Sequence, residues 1–287
     1  NGISEDLWGI DQNKKNKPNN NNINNNTNIN NNVNTNNNNN NNANNNSSIA
    51  INYSSNLFSR NGGGGMFNRS SSPTITNATF NENAVSFDGG GMLNEASSPT
   101  ITNATFTTNS AGNLGGGIYN QFSSPSITNA SFNGNSGTYG GVMFNVSSSS
   151  PSITNTIIWD NGSSEFYNVS STLTFTNSII KGSGGSTAWN TTYGADGGNN
   201  LDADPLFVDA ANDDFRLSVG SPAIDAGDNA AWTATGLTTD LGGNVRPQNT
   251  VDIGAYESVA IICSFSTAIY VDSAATTGNN DGTSWAN

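Results

Sequence analysis

The sequence predicts an all-β protein whose fold class is a right-handed parallel β-helix (solenoid) of about 22–26 residues per coil, with a C-terminal closing region. The first observation is a segment, Ser-Ser-Pro-[Thr/Ser]-Ile-Thr-Asn, that recurs with its prolines 26 residues apart, at Pro73, Pro99, Pro125 and Pro151. The second is that each repeat holds too few apolar residues to close a core alone, so neighbouring repeats must stack.

The composition of the repeat favours strands over helices, because it is poor in Ala, Leu, Glu and Lys and rich in Thr, Asn and Gly. In the first copy we predict three short strands, over residues 74–76, 78–80 and 91–93. A last copy, 22 residues further on, carries Phe175 at the position of Ile153. The predicted core columns are Ile75, Ile101, Ile127 and Ile153, and Phe80, Phe106 and Phe132.

An asparagine follows each core isoleucine by two residues and suits a sharp bend with positive φ. Coils stacked about 4.8 Å apart place these side chains above one another, so we expect their amides to hydrogen-bond along a ladder. The predicted ladder consists of Asn77, Asn103, Asn129, Asn155 and Asn177.

Each repeat also carries an F-x-x-N segment, then a glycine run and a Met or Ile, as at residues 80–83, 89–91 and 92. Over residues 58–177 these motifs resemble the repeats of polymorphic outer membrane proteins and other bacterial surface β-helices. The resemblance implies a surface-exposed β-helix and no particular reaction.

Composition divides the chain into four predicted parts. Residues 1–46 form an N-terminal cap and Asn-rich low-complexity coils, and residues 47–182 form the regular repeats. Residues 183–258 form the closing domain, and residues 259–287 form a linker and the start of a following β-helix unit. Composition alone favours disorder in the Asn-rich tract, whereas its isolated apolar residues suggest ordered coils with Asn ladders, which is our expectation.

The closing domain contains five motifs, from Asn200-Leu-Asp-Ala-Asp-Pro-Leu-Phe-Val-Asp209 to Val251-Asp-Ile-Gly-Ala-Tyr-Glu257. Their order resembles the end of the bacterial choice-of-anchor Q domain proteins, in which a parallel β-helix closes with these motifs before a surface-sorting or further module. The resemblance implies a secreted or cell-surface protein. Residues 269–285 resemble the opening of another β-helix, so we expect the sequence to be a segment of a longer, tandem protein.

Charge and composition argue against several function classes. The net charge is −13 and only eight Lys and Arg are present, which argues against nucleic acid as a partner. Cys263 is the single cysteine and histidine is absent, so an internal disulfide and zinc chemistry are not expected. No apolar run approaches the roughly 18 residues of a membrane span.

Catalysis in the coils is not expected. Polysaccharide-cleaving β-helices need several carboxylates, or a Lys or Arg base beside calcium, on one face of adjacent coils. In the repeats no acid stacks on another at the repeat step, so we expect solvated loop charges at Glu82, Asp88, Glu95, Asp160 and Glu165.

Calcium is the one cofactor for which the sequence offers candidates. A run of carboxylates in the closing domain is able to ligate calcium, but it lacks EF-hand spacing, and turn capping explains it as well. The candidate ligands are Asp202, Asp204, Asp209, Asp213 and Asp214.

The predicted function is an extracellular structural or adhesive module that binds surface glycans or proteins, or assembles with itself into fibres. The alternative is a carbohydrate-active enzyme, a pectate-lyase-like polysaccharide lyase or hydrolase. Ice binding by a flat threonine face is a third possibility, weakened by Ser126 and Ser152. The aromatic residues that either stack on sugar rings or fill the coil are Tyr119, Phe122, Tyr139, Phe144, Trp159 and Tyr167.

Overall fold

The computed structural model describes the strand Ile49–Ile51, residues 63–162 and residues 165–258. Within this part of the chain the strands of successive repeats pair in parallel, coil upon coil, which confirms the predicted solenoid. The Asn-rich coils predicted in residues 1–46 and the second unit predicted in residues 259–287 lie outside the described residues.

The largest sheet is built from strands that turn a corner at the predicted asparagine. Thr74–Asn81 is one strand rather than the two that were predicted, because Asn77 has a φ of 52° and bends the chain while the ladder continues on both sides. We call it the bent sheet; its strands are Ile49–Ile51, Thr74–Asn81, Thr100–Thr107, Ser126–Asn133, Ser152–Thr154, Ile157–Trp159, Thr174–Thr176, Ile179–Ile180 and Ala195–Asp196.

Two further parallel sheets complete the coils. A five-stranded sheet contains Met66–Arg69, Met92–Glu95, Ile118–Gln121, Met143–Val146 and Phe166–Val169. A short sheet, which the sequence did not predict, contains Ala84–Val85, Ser110–Leu114 and Ser136–Tyr139. The short sheet is flanked by glycines whose neighbours leave no room for a side chain; a Cβ on Gly116 would lie 2.2 Å from the carbonyl oxygen of Ser136.

Columns of identical or similar side chains fill the coil interior. The rings of Phe80 and Phe106 stack at 4.4 Å, and those of Phe106 and Phe132 at 4.7 Å. Burying each such side chain contributes about 1.5–3 kcal/mol. The second column, at most 5% exposed, consists of Ile75, Ile101, Ile127 and Ile153.

Two asparagine ladders lie inside the coils, and neither is the one that was predicted. In each, a side-chain amide nitrogen donates to the amide oxygen one coil further on, at 2.8–2.9 Å. One ladder uses the asparagine after the glycine run and the other that of the F-x-x-N motif. Their members are Asn68, Asn94, Asn120, Asn145 and Asn168, and Asn83, Asn109, Asn135 and Asn161.

The predicted corner ladder is interrupted. All five corner asparagines have φ between 47° and 53°, but hydrogen bonds between their side chains join only Asn103 to Asn77 and Asn155 to Asn129 among the described residues. Asn103 also donates to the carbonyl oxygen of Thr239, and Asn129 to that of Asp252. The ladder is interrupted because a later part of the chain packs against the corner.

That later part is residues 203–258, which we call the lateral segment. It contains the strands Phe207–Asp209 and Asp214–Leu217, the 3-10 helix Ala210–Asn212 and the α-helix Asn229–Thr233. It lies along the side of the coils rather than across their end. Its contacts run from Asn81, which donates to Asp213, to Asn155, which accepts from the backbone N–H of Asp228.

The end of the coil interior is covered instead by the turn before the lateral segment. Trp189 packs against Phe175, and Tyr193 meets Phe166 at 5.5 Å. In the described residues no helix has the length and apolarity needed to cross a membrane.

Candidate functional site

A shortened repeat creates an opening in the regular surface. The repeats that begin at Ser97 and Ser123 are 26 residues long, whereas the repeat from Ser149 to Ser171 spans 22. Eight positions separate Asn135 from Met143 (143 − 135 = 8), but five separate their partners Asn161 and Phe166 (166 − 161 = 5). Three of the four missing residues therefore come from the side of the coil that carries the short sheet.

An open cavity of about 360 Å³ lies at this place, and we call it the step cavity. The short sheet ends next to it: the backbone N–H of Gly162 donates to the carbonyl oxygen of Asn135, one residue before the last short-sheet strand, Ser136–Tyr139. The cavity is lined by Asp160, Asn161, Gly162, Glu165, Lys181, Gly182 and Tyr193.

Glu165 is the unusual group in the step cavity. Its Oε2 atom is buried and has no hydrogen-bond partner among the described residues. Burial is the main cause that raises the pKa of Glu165 to about 8; the charge of Lys181 lowers it, and those of Asp160 and Asp202 raise it. The carboxyl group is therefore mostly protonated at neutral pH, and it is able to donate as well as accept a hydrogen bond.

Lys181 and Asp160 form an ion pair at the mouth of the cavity. The Lys181 ammonium group lies 5.3 Å from the centre of the Trp159 ring. The backbone carbonyl oxygen of Lys181 accepts a hydrogen bond from the Tyr193 hydroxyl at 3.2 Å. The expectation that the repeat acids are solvated loop charges is thus wrong for Glu165. The repeat-step comparison missed this cluster because its members come from irregular turns of different lengths.

A row of stacked rings runs along the outside of the five-stranded sheet. Tyr119 and Phe144 stack at 5.6 Å, and Phe144 and Tyr167 at 5.3 Å, with planes within 7° of parallel. Tyr139 meets Tyr167 at 5.2 Å and an angle of 62°. These four residues are the aromatic row. Because the inner rings cover one another, the open faces belong to Tyr139 and Tyr167, which are 45% and 41% exposed.

The aromatic row ends beside the step cavity. Glu165 is two residues before Tyr167, and its carbonyl oxygen accepts from the backbone N–H groups of Val142 and Met143. Tyr139 lies at the end of the last short-sheet strand. Of the two other predicted aromatics, Trp159 lies under Lys181, and Phe122 is 64% exposed and contacts no other ring in the described part of the chain.

The five candidate calcium ligands are not brought together as one group, although Asp209 and Asp214 are partners across the two antiparallel strands of the lateral segment. Asp202 accepts from the backbone N–H groups of Gly182 and Gly184, and Asp214 pairs with Arg216. Asp204, Asp209 and Asp213 each accept a hydrogen bond from a different part of the chain. Within the described ranges no group of three or more acidic, Cys or His side chains is arranged to hold a metal ion.

The threonine face is only partly regular. Strand register aligns one column that is threonine in all five coils, but the column two residues earlier contains Ser126 and Ser152, so a T-x-T row is not sustained. Within the threonine column, Thr102 is 3% exposed, next to the contact of Asn103 with the lateral segment, so the column is not one open flat surface. The threonine column consists of Thr76, Thr102, Thr128, Thr154 and Thr176.

Comparison with protein families places this geometry among known folds. A model described as "Right handed beta helix region" matches residues 51–202, just over half of the chain. The chain belongs to the right-handed β-helix family. No curated protein matches it in a sequence comparison.

Within this right-handed β-helix, sequence reasoning missed Lys181 and Tyr193 as site residues. The signal was present in the shortening of the step from 26 to 22 residues, because a shorter repeat must leave a gap somewhere on the coil surface. The sequence did not show on which of the three sides the gap would lie.

Proposed function

We propose that this chain is an extracellular structural or adhesive module that binds glycans at the end of its aromatic row. The supporting observation is the pair of exposed rings, Tyr139 and Tyr167, held edge to face on a rigid stack. Sugar rings present apolar C–H faces that pack on aromatic rings, and fixed rings lose little conformational entropy when they bind. The predicted extracellular location rests on the resemblances to bacterial surface proteins.

Binding of neutral oligosaccharides to single-site variants tests this proposal. Tyr167→Ala and Tyr139→Ala are each expected to weaken the affinity for a glucose or N-acetylglucosamine hexamer by about five- to tenfold, measured by titration calorimetry. Phe122→Ala is the matched control, since it removes an exposed ring without a ring partner. Absence of binding at millimolar sugar, or an equal loss in Phe122→Ala, would reject the aromatic row as the site.

A carbohydrate-active enzyme is the second candidate, and Glu165 favours it. A carboxyl group with a pKa of about 8 is protonated at neutral pH and suits the general acid that protonates a leaving glycosidic oxygen. Asp160 supplies a second carboxylate in the same cavity. Mass spectrometry of the oligosaccharides after incubation distinguishes the two candidates, since a binding module leaves them intact and an enzyme shortens them in a manner lost in Glu165→Gln.

Binding to proteins and assembly with other copies stay predictions. Negative-stain electron microscopy at low and high protein concentration tests assembly: filaments of constant width support a fibre subunit, and discrete short rods argue against it.

A further inference from the structure

The polar groups of the step cavity are nearly all committed to other partners. The Asn161 amide donates to the carbonyl oxygens of Phe132 and Trp159 and accepts from Asn135. The Asp160 carboxylate pairs with Lys181, and the Tyr193 hydroxyl donates to the backbone. The buried Oε2 atom of Glu165 is what remains without a partner.

This arrangement determines which chemical group of a ligand fits the cavity. A carboxyl oxygen without a donor is satisfied by a ligand that brings one, and an ammonium group is a donor whose positive charge also favours the ionised form of Glu165. The carboxylates of Asp160 and Asp202 near Glu165 outnumber the single ammonium group of Lys181, so a carboxylated sugar would meet an excess of like charge. Lys181 is already neutralised by Asp160.

The position of the cavity indicates which kind of molecule carries the ammonium group. Tyr167 lies two residues after Glu165, so the substituents of a sugar ring packed on the end of the aromatic row lie next to the cavity. We infer that the step cavity binds the ammonium group of an amino sugar within a glycan held on Tyr139 and Tyr167. The inference rests on the proposed glycan binding and names the class of glycan that this site selects.

Three oligosaccharides that differ mainly in one substituent test the inference. The probes are hexamers of glucosamine, of N-acetylglucosamine and of galacturonic acid, titrated at neutral pH against the whole chain. We expect the glucosamine hexamer to bind about tenfold more tightly than its acetylated counterpart, because its ammonium group donates a charge-assisted hydrogen bond to the Oε2 atom of Glu165. The galacturonate hexamer should bind most weakly.

Two glutamate variants assign the preference to the cavity. Glu165→Gln is expected to reduce the tenfold preference to about twofold or less, because an amide cannot ionise beside a bound ammonium group as the carboxyl group can. The variant should fold, because the carboxyl group that it replaces is mostly uncharged at neutral pH in the absence of ligand. Glu82→Gln, the same change at an exposed glutamate of another repeat, should keep the preference.

The outcomes separate this inference from the proposed function. Equal affinity for the amino and acetylated hexamers overturns the amino-sugar inference and leaves glycan binding intact. A preference that survives in Glu165→Gln also overturns it, because the net charge of the chain would then explain the preference. Failure of all three hexamers to bind rejects the proposed function together with the inference.

Discussion

The pKa of the Glu165 carboxyl group depends on where this residue lies in the fold. Elsewhere in the repeats, acids such as Glu95 pair across coils, in that case with Arg69 at 3.0 Å. Glu165 lies where the coil is shortened, and its Oε2 atom is turned away from solvent without a partner. The cost of placing a charge there appears as a raised pKa, and the same cost links the protonation of Glu165 to the stability of the protein.

We predict that Glu165 makes the protein less stable as pH rises from about 4.5 to about 8. In this window the native state keeps a proton that the unfolded chain releases, so the free energy of unfolding falls with increasing pH, by an amount on the order of a few kcal/mol. Urea unfolding at pH 5 and pH 8 measures the loss, and Glu165→Gln should show a smaller one.

Comparing the unchanged chain with Glu165→Gln separates the effect of Glu165 from that of other carboxyl groups with a raised pKa. Burial also raises the pKa of Asp88 and of Glu257, and both remain in the variant. Glu82→Gln should keep the pH dependence of the unchanged chain. If Glu165→Gln loses as much stability between pH 5 and pH 8 as the unchanged chain does, the raised pKa is not the cause.

At the scale of one element, the asparagine ladders explain how so polar a chain forms a closed interior. Asn94, Asn120 and Asn145 are fully buried, and each amide both donates to and accepts from a neighbouring coil. A buried amide is tolerated when its hydrogen bonds are made, and it costs about 1–3 kcal/mol when they are not. The ladder therefore aligns the coils, because a shifted coil would leave several amides unpaired.

We predict that Asn120→Ala is more damaging than Asn168→Ala. Asn120 lies within the ladder, and its removal leaves the Asn94 donor and the Asn145 acceptor unpaired, which should cost about 2–5 kcal/mol. Asn168 ends the ladder and donates to the backbone carbonyl oxygen of Tyr193, at 3.3 Å, rather than to another ladder amide. Its removal leaves one ladder donor, that of Asn145, unpaired and should cost about 1–3 kcal/mol. Denaturant unfolding of both variants checks the order, and equal losses would show that the ladder does not act as a connected unit.

The sequence allowed the strands and the core to be predicted because both follow the 26-residue period. The corner at Asn77, the phenylalanine stack and the stacking of coils were all accessible in this way. The short sheet was missed because its strands, such as Ala84–Val85, contain few of the residues that favour strands and are held by backbone pairing with the next coil. The site was missed because it results from a break in the period.

At the scale of the whole molecule, the lateral segment turns a repetitive stack into a unit with two different sides. It covers the outward positions that follow the corner asparagine, where Ser131, Ile157 and Ile179 are fully buried. The change from Thr or Ser to Ile at this column was visible in the sequence. It indicates a covered surface, because an outward position that becomes apolar is stabilised only where another part of the chain packs on it. The aromatic row belongs to the other two sheets, and the lateral segment leaves Tyr139 and Tyr167 exposed.

One buried side chain of the lateral segment, Arg246, forms an ion pair within that segment and a hydrogen bond to the coils. Arg246 Nε lies 2.9 Å from Glu257 Oε2, and both side chains are at most 1% exposed. The Arg246 guanidinium group also donates to Asn103 Oδ1 at 3.3 Å and to the carbonyl oxygen of Gly254 at 2.9 Å, and it lies 5.1 Å from the centre of the Trp232 ring. A single side chain thus links the helix residue Trp232 and the last residues of the lateral segment to a corner of the second repeat.

We predict that Arg246→Met lowers the free energy of unfolding by about 3–5 kcal/mol, because it leaves the Glu257 carboxylate buried without its counter-charge. Arg216→Met is the matched control; its guanidinium group pairs with Asp214 at the exposed surface, where solvent screening leaves the pair with little effect on stability. The double variant Arg246→Met with Glu257→Gln should recover part of the loss, because it removes the unpaired charge. Equal unfolding free energies for Arg246→Met and Arg216→Met, measured in urea, would show that the lateral segment is held by its apolar contacts, with Ile157, Ile253 and Ala223 at their centre, and not by this pair.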